Sequence, residues 1–356
     1  MSVYANPALR AYVDARAENR PGIYRMYGSG GELLYVGKSI RVRARLLSYF
    51  TAERGEKAGE LVREAERVTW EYLPNEFAAL VGEMKLIQRF RPRFNVEHKR
   101  RPHYAFIKVT RERAPRVIPV TRVADDGAEY YGPFPGVGEL ARLVLDLSHV
   151  LGLRDCPGAT RVRFNDQLEI FPGRSPPLCM RADLGSCLAP CCGRSSAREY
   201  ARAVATARSF LEGRARGPLR DVDEEMRRAA ARTDFEYAGL LRDRAARLRH
   251  FRDRLMAFRG RVEDLSFVYP VPGHAGDDRV YLIRKGCIRR ELPWPTNRRA
   301  RSRVARIVED VFSKADADPS ALTPEEAAEI LLVARWFRLR PRERRRVVPP
   351  RQWLEG

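Results

Sequence analysis

The apolar positions of this chain fall into short runs of changing period, with polar punctuation between them. Residues 6–18 repeat at helical spacing behind Asn6 and Pro7, a capping residue and one that fits the first helical position. Pro21-Gly22 breaks that pattern. Two strand-like runs follow, GIYRMYG and ELLYVG, joined by the turn Gly28-Ser29-Gly30-Gly31. Lys38 to Phe50 then reads as a helix. A second begins near Pro74-Asn75, with Phe77, Leu80, Met84 and Ile87 on one side and Pro92 as its limit. The run YAFIKV at 104–109 predicts a strand after a basic turn, KRRPH, and the Pro-rich YYGPFPG at 130–136 predicts a boundary. A helix with Leu143, Leu147 and Val150 on one face comes next.

Residues 154–193 read as loop, and 196 to about 259 as helix throughout. From Leu265 the chain opens with strand-like FVYPV and RVYLI, then turns helical and very basic. This order, without internal repeats, predicts an α+β fold in several parts. They are an N-terminal helix at 1–19, a small domain of short central sheet and flanking helices at 20–98, and a linker with a Cys-rich region at 99–195. A helical region at 196–259 and a mixed basic region at 260–356 complete the division.

Charge narrows the partners. Of 356 residues, 67 are Lys or Arg and 46 are Asp or Glu, a net charge of +21, mostly from arginine. That balance does not define a fold, but it makes polyanions, nucleic acid first, the expected partners. No stretch approaches the roughly 18 apolar residues needed to cross a bilayer. The start, MSVYANPALRAYVDAR, carries charges where a secretory signal needs its apolar region. The predicted location is the cytoplasm, in association with the nucleoid, with no membrane partner. Six Cys in a reducing compartment argue against a disulfide framework, and the clustering of four favours metal.

A phosphodiesterase needs a group to polarise water, a clamp for the non-bridging oxygens, and a cation at the leaving oxygen. Lys38, Arg41, Arg45 and Tyr49, at spacings of three, four and four, would line one side of the first of these helices. Tyr24 and Tyr35 fall at the edge of the same region on the two strands. Glu83 borders the apolar side of the next helix, where a carboxylate is costly unless it meets a cation or a donor. Singly, each has an ordinary reading: core tyrosine, solvated arginine, salt-bridge glutamate. Order and spacing make the set.

GIYRMYGSGGELLYVGKSIRVRARLLSYF resembles the GIY-YIG nuclease motif, with GIY at 22–24 and YVG at 35–37. GEMKLIQRFRPRFNV supplies the remaining matches, Glu83 and Asn95. The resemblance implies Tyr24, Tyr35, Lys38, Arg45, Tyr49, Glu83 and Asn95 as the catalytic set. It also implies one divalent ion, Mg or Mn, on Glu83. Arg45 and Lys38 would neutralise the scissile phosphate, and Tyr24 or Tyr35 would help to activate water, in a hydrolysis without covalent intermediate.

Cys156, Cys179, Cys187 and Cys191 are separated by 22, 7 and 3 residues in a loop-rich stretch, which suits thiolate coordination of iron–sulfur or zinc. Buried small side chains, free thiols or a chance cluster are the alternatives. The segment PPLCMRADLGSCLAPCCG is similar to the Cys-rich region of the UvrC excinuclease family, which implies a 4Fe-4S cluster, with zinc as the second option. The gap between Cys156 and Cys179 is longer than usual for that family, Cys192 is an extra thiol, and distant Cys287 is expected to be packed.

In residues 221–250, Phe235, Ala238, Leu241, Ala245 and Leu248 form one apolar stripe, and Thr233 with Glu236 makes a capping box. Two short amphipathic helices turning near Arg232 are predicted, either an ordinary packed pair or a docking device. The wording is similar to the UVR domain of the same family, at about 219–254. This implies pairing with a UvrB-type damage-loading helicase subunit through Phe235, Ala238, Leu241 and Arg242.

The resemblance covers about 20–260, and more weakly FVYPV and RVYLIRKG. No FDISH-like stretch presents the first catalytic Asp of the family's RNase H-like second nuclease, and its paired helix-hairpin-helix modules are expected to be missing. The organisation is similar to the short homologues of the Cho type, which incise only on the 3′ side of a lesion. The basic RLRPRERRR would add salt-sensitive phosphate contacts or simply solubilise the chain. The expected function is metal-dependent incision of damaged double-stranded DNA in nucleotide excision repair. Two rivals stand beside it. A free-standing structure-selective GIY-YIG endonuclease would have no use for the Cys segment and hairpin. A non-catalytic competitor for the UvrB-type partner would have no use for the complete catalytic set.

Overall fold

A computed structural model describes residues 6–52, 56–96, 104–135, 137–166, 179–313 and 322–355. Helix Pro7–Arg16 (α1) starts where its cap predicts, the Asn6 side chain accepting from Leu9 N at 3.0 Å. Gly22–Tyr27 (β1) is the middle strand of an antiparallel sheet, flanked by Leu33–Ser39 (β2) and Arg67–Tyr72 (β3). Between the flanking strands lie helices Val42–Tyr49 (α2) and Lys57–Glu64 (α3). Neither α3 nor β3 was legible as periodicity.

The helix expected from Lys38 starts four residues later. Lys38 pairs with Ile23 and Ser39 with Gly22, so the β1–β2 ladder outlasts the apolar run. Ser39 Oγ then accepts from Arg41 N at 2.9 Å and turns the chain. Lys38 is therefore a strand residue and Arg41 only the cap, so the shared helical face with Arg45 and Tyr49 does not form. Side-chain spacing could not reveal this, because strand pairing is decided by the neighbour's backbone.

Glu76–Phe90 (α4) is capped by Asn75, whose side chain accepts from Ala78 N at 2.8 Å, and ends at left-handed Arg91 just before Pro92. A short turn of helix, Arg93–Val96 (α5), closes this part. The basic turn KRRPH lies outside the described residues.

Tyr104–Val109 (β4) is central to a second sheet, between Val117–Val120 (β5) and Glu129–Pro135 (β6). YYGPFPG is thus mostly strand rather than boundary. The register shifts between Ala105 and Ile107, opposite the Gly132–Pro133 step, so the missing proline N–H breaks no ladder bond. Helices Val137–Val150 (α6), Met180–Asp183 (α7), Ala197–Leu211 (α8), Gly217–Ala231 (α9) and Phe235–Glu263 (α10) follow. Ile107, Leu147, Val204, Phe210, Leu248 and Phe251 share one core. The hairpin differs from expectation in two ways. Its second helix is 29 residues long rather than short. Thr233 adopts φ 62 to make the turn, so the cap passes to Asp234, whose carboxylate accepts from Tyr237 N at 3.1 Å.

A third sheet, Phe267–Val271 (β7), Arg279–Arg284 (β8) and Cys287–Pro293 (β9), precedes helices Arg298–Ser313 (α11), Pro324–Leu339 (α12), Pro341–Arg344 (α13) and Pro350–Glu355 (α14). The chain divides into two compact units. Met1–Arg101, Val262–Ala315 and Ala328–Gly356 form one, and Pro102–Arg261 with Asp316–Ala327 the other. The region expected to stand apart from 260 on therefore largely joins the first. Within that first unit Phe77 of α4 packs against the later segments: its buried ring lies 4.8 Å from Tyr281 and 5.3 Å from both Tyr269 and Trp336.

In the other unit Arg154 is 2 % exposed. Its Nε donates to Ala114 O at 2.9 Å and its Nη2 to Glu112. Burial alone would raise the Glu112 carboxyl, but bonds from Arg116 and Thr110 and the charge of Arg154 hold it below the ordinary value. Glu112→Ala leaves a buried guanidinium uncompensated and is expected to cost about 3 kcal/mol at neutral pH. A depressed carboxylate stabilises above its unfolded pKa and loses that contribution as pH falls through the folded value. Denaturant midpoints should therefore separate wild type and variant at pH 7 and converge in acid.

Candidate active site

Gly22, the first residue of the GIY motif, has no Cβ because one would lie 2.3 Å from Glu71 O on β3. Gly37, the last of the YVG motif, leaves room for a ring: an added Cβ would meet Tyr24 Cζ and Oη at 2.4 Å. The motif glycines let β3 close on β1 and let Tyr24 lie against β2.

Tyr24, Tyr35 and Tyr49, from β1, β2 and α2, form a triangle of rings with centroids 6.2, 6.0 and 6.2 Å apart. The hydroxyls of Tyr24 and Tyr49 are hydrogen-bonded at 2.8 Å, and Arg45 Nε donates to Tyr24 Oη at 3.4 Å. Arg45 Cζ stands 5.0 Å from the Tyr49 ring centroid. Burial, then the neighbouring Tyr35, pushes Tyr24 up to about 12. Burial also raises Tyr35 and Tyr49, Tyr35 further through Tyr49 and the charge of Glu83. All three are neutral phenols at physiological pH. Arg45 is held charged, first by its bond to Tyr24 and then by Tyr49.

Glu83, half-buried on α4, accepts from Lys38 N at 3.2 Å through Oε1. Burial raises its carboxyl, against the charge of Lys38, the bond from Lys38 N and the charge of Arg45. A carboxylate so placed, with one oxygen taken by a backbone N–H, has the donor chemistry for a hard divalent cation. Among the described residues no three His, Cys, Asp or Glu side chains gather for a metal ion, so any such ion would depend on Glu83 with water.

Five sequence-predicted residues, Tyr24, Tyr49, Arg45, Lys38 and Glu83, are thus brought together, with Tyr35 in the aromatic triangle. Asn95 has a different occupation. Its Oδ1 accepts from Val36 N at 2.8 Å and its Nδ2 donates to Val36 O at 2.9 Å, which fastens α5 to β2. Two residues escaped the sequence reading. Glu76 Oε1 accepts from Lys38 Nζ at 2.7 Å and from Arg340 Nη2 at 2.6 Å. Glu76 lies two turns before Glu83 on α4, a spacing that could have flagged it. Arg340, 264 positions away, left no local signal.

In the other unit, Cys156 and Cys179 are close enough to raise Cys187 and Cys191 electrostatically, after burial. The four thiols thus share one neighbourhood, with local contacts of their own. Cys187 Sγ accepts from Ala189 N at 3.3 Å and Cys191 Sγ lies 3.5 Å from Cys192 Sγ. Most of the loop before Cys179, residues 167–178, is outside the described residues. The expected iron–sulfur or zinc site is not assembled among the described residues. At the hairpin, Phe235 and Leu240 are 70 % and 66 % exposed and Arg242 is exposed, whereas Leu241 is buried in the core and unavailable to a partner. Ala238 is half-buried.

Residues 20–96 match the family model for the UvrC-like GIY-YIG domain, and residues 104–210 that for the UvrC/Cho excinuclease middle domain. UvrABC system protein C of Thermus thermophilus is 37 % identical over 270 residues, 75 % of this chain and 43 % of that protein. The same protein of Moorella thermoacetica is 31 % identical over 331 residues, 91 % of this chain and 52 % of that one. The chain thus spans about half the length of these curated relatives. Among solved structures, the GIY-YIG N-terminal endonuclease domain of UvrC from Thermotoga maritima, bound to magnesium, is 31 % identical. It covers 26 % of this chain and 99 % of that one, with a TM-score of 0.24.

The contact between Gly37 and Tyr24 is directly testable. Gly37→Ala should destabilise the chain by about 2 kcal/mol through overpacking. Gly239→Ala, on α10 where an added Cβ meets nothing within 4 Å, should be neutral or slightly stabilising. Thermal melts of both variants check the difference; equal melting points would exclude the clash.

Proposed function

We propose, because this chain belongs to the UvrC excinuclease family, that it is a magnesium-dependent DNA endonuclease of nucleotide excision repair, cutting damaged duplex DNA in concert with a UvrB-type loader. Its N-terminal region is the GIY-YIG endonuclease domain of that family. The observation that carries the reading is the convergence of two hydrogen-bonded tyrosines, Arg45, Lys38 and the half-buried Glu83.

In this reading Glu83 holds the divalent ion, which when bound supplies Lewis-acid stabilisation of charge on the phosphate oxygens. Arg45 and Lys38 face the scissile phosphate and offset the charge that develops there. Tyr35 orients the water and so helps to activate it. It is only half-buried and its phenol feels Glu83, whereas Tyr24 is 1 % exposed and its hydroxyl is engaged by Tyr49 and Arg45. The neutral Tyr35 hydroxyl would accept a hydrogen bond from the water and aim it at phosphorus, and the proton lost on attack would go to the departing alkoxide. Asn95 acts by holding β2 in register with α5.

The cut is taken to fall on the 3′ side of the lesion, as resemblance to the Cho type implies. The exposed Phe235 and Leu240 at the start of α10 support docking on the helicase subunit.

Glu83→Gln and Arg45→Ala should each lower plasmid nicking with magnesium by about a hundredfold or more while duplex binding stays near wild type. Full nicking by either variant refutes the assignment. An end-labelled duplex with one bulky adduct should show a single 3′ cut only when the loader is present; loader-independent cutting of branched DNA would favour a free-standing endonuclease. Phe235→Ala should weaken capture by the loader by about tenfold or more. An unchanged pull-down would remove the hairpin from recruitment.

A further inference from the structure

Glu76 and Glu83 stand seven residues apart on α4, and together they hold Lys38 at both ends. Glu83 accepts from its backbone N–H, Glu76 from its ammonium at 2.7 Å. The oxygen of Glu76 that takes the ammonium also takes Arg340 Nη2 at 2.6 Å. Arg340 follows the last residue of α12, and its N–H donates to Trp336 O at 3.0 Å. Its guanidinium lies 4.0 Å from the Trp336 ring centroid. Trp336 is buried, packed 5.3 Å from Phe77, the residue next to Glu76. The cation is thus fixed by backbone, ring and carboxylate at once.

We infer that Arg340 and Glu76 are positioning residues for Lys38. A lone carboxylate facing the lysine would form a closed pair of zero net charge. Two cations sharing one carboxylate oxygen leave the trio with a net positive charge, with the ammonium aimed but not neutralised. The C-terminal part of the chain thereby becomes a working part of the nuclease site. The inference rests on the proposal that Lys38 faces the scissile phosphate. It assigns Arg340 no contact with DNA.

The test uses the full chain on supercoiled plasmid with magnesium, comparing wild type, Arg340→Ala, Arg340→Lys, Glu76→Gln and the double variant Glu76→Gln/Arg340→Ala. Arg340→Ala should lower kcat by about tenfold with KM for DNA within about twofold, and Arg340→Lys should recover most of the loss. In the Glu76→Gln background, Arg340→Ala should change nothing further. An undiminished effect in that background, a loss confined to KM, or no loss at all overturns the inference. A second readout needs no turnover. The chain has only seven lysines, so the Lys38 ammonium resonance can be assigned in the free protein by its disappearance in Lys38→Arg. Arg340→Ala should shift that resonance and leave that of Lys108, paired with Asp126, in place. An unmoved Lys38 signal overturns the inference whether or not the chain cuts, whereas absence of cutting by wild type overturns the proposed function instead.

Discussion

The ring of Tyr24 lies so close to the backbone of β2 at Gly37 that one methyl group would collide with it. That approach sets the position of the Tyr24 hydroxyl, which engages Tyr49 and Arg45 on α2. It also brings β1 and β2 into the register that leaves Lys38 at the end of a strand, with its N–H turned to Glu83. Three tyrosines pack as a wedge between sheet and helix, and burial keeps them un-ionised. The cations of the site therefore stand beside neutral phenols rather than phenolates that would consume their charge.

Helix α4 is the second constraint. One side carries Glu76 and Glu83 to β2. Near the same end, Phe77 is enclosed by Tyr269, Tyr281 and Trp336 from the far end of the chain. A half-buried carboxylate is unfavourable unless compensated, and Glu83 is compensated by a backbone N–H and nearby cations. The aromatic packing resists the rotation of α4 that would undo this arrangement. Only 7 of the 67 cationic residues are lysines, yet one occupies the strand end. A compact ammonium fits on the Glu76 oxygen beside the guanidinium of Arg340, where a second planar guanidinium would need a wider fork.

The other unit solves a different problem. Arg154, almost wholly enclosed, gathers the backbone around Ala114 and Pro157 and meets Glu112, so an irregular stretch near Cys156 acquires fixed polar partners in place of regular structure. On α10 the apolar stripe divides by depth. Leu241, Ala245 and Leu248 enter the core, while Phe235 and Leu240 remain in solvent.

Local chemistry carried much of this into the sequence. The Asn6 and Asn75 caps, the GIY and YVG strands, the stop before Pro92 and the residue types of the nuclease set follow from short-range rules of capping, turn formation and alternation, which depend only on near neighbours. Whatever depended on a distant backbone did not show. The ladder with β1 drew Lys38 out of its expected helix, and β3 existed only as a partner for β1. Thr233 yielded the cap to Asp234 because the turn required a left-handed residue. Asn95 was claimed by the edge of β2, and Arg340 reached Glu76 across 264 positions. Residue type and spacing determined which chemistry the chain carries. Tertiary packing decided which of those groups meet, because hydrogen-bond partners and burial are set by whichever segment closes over them.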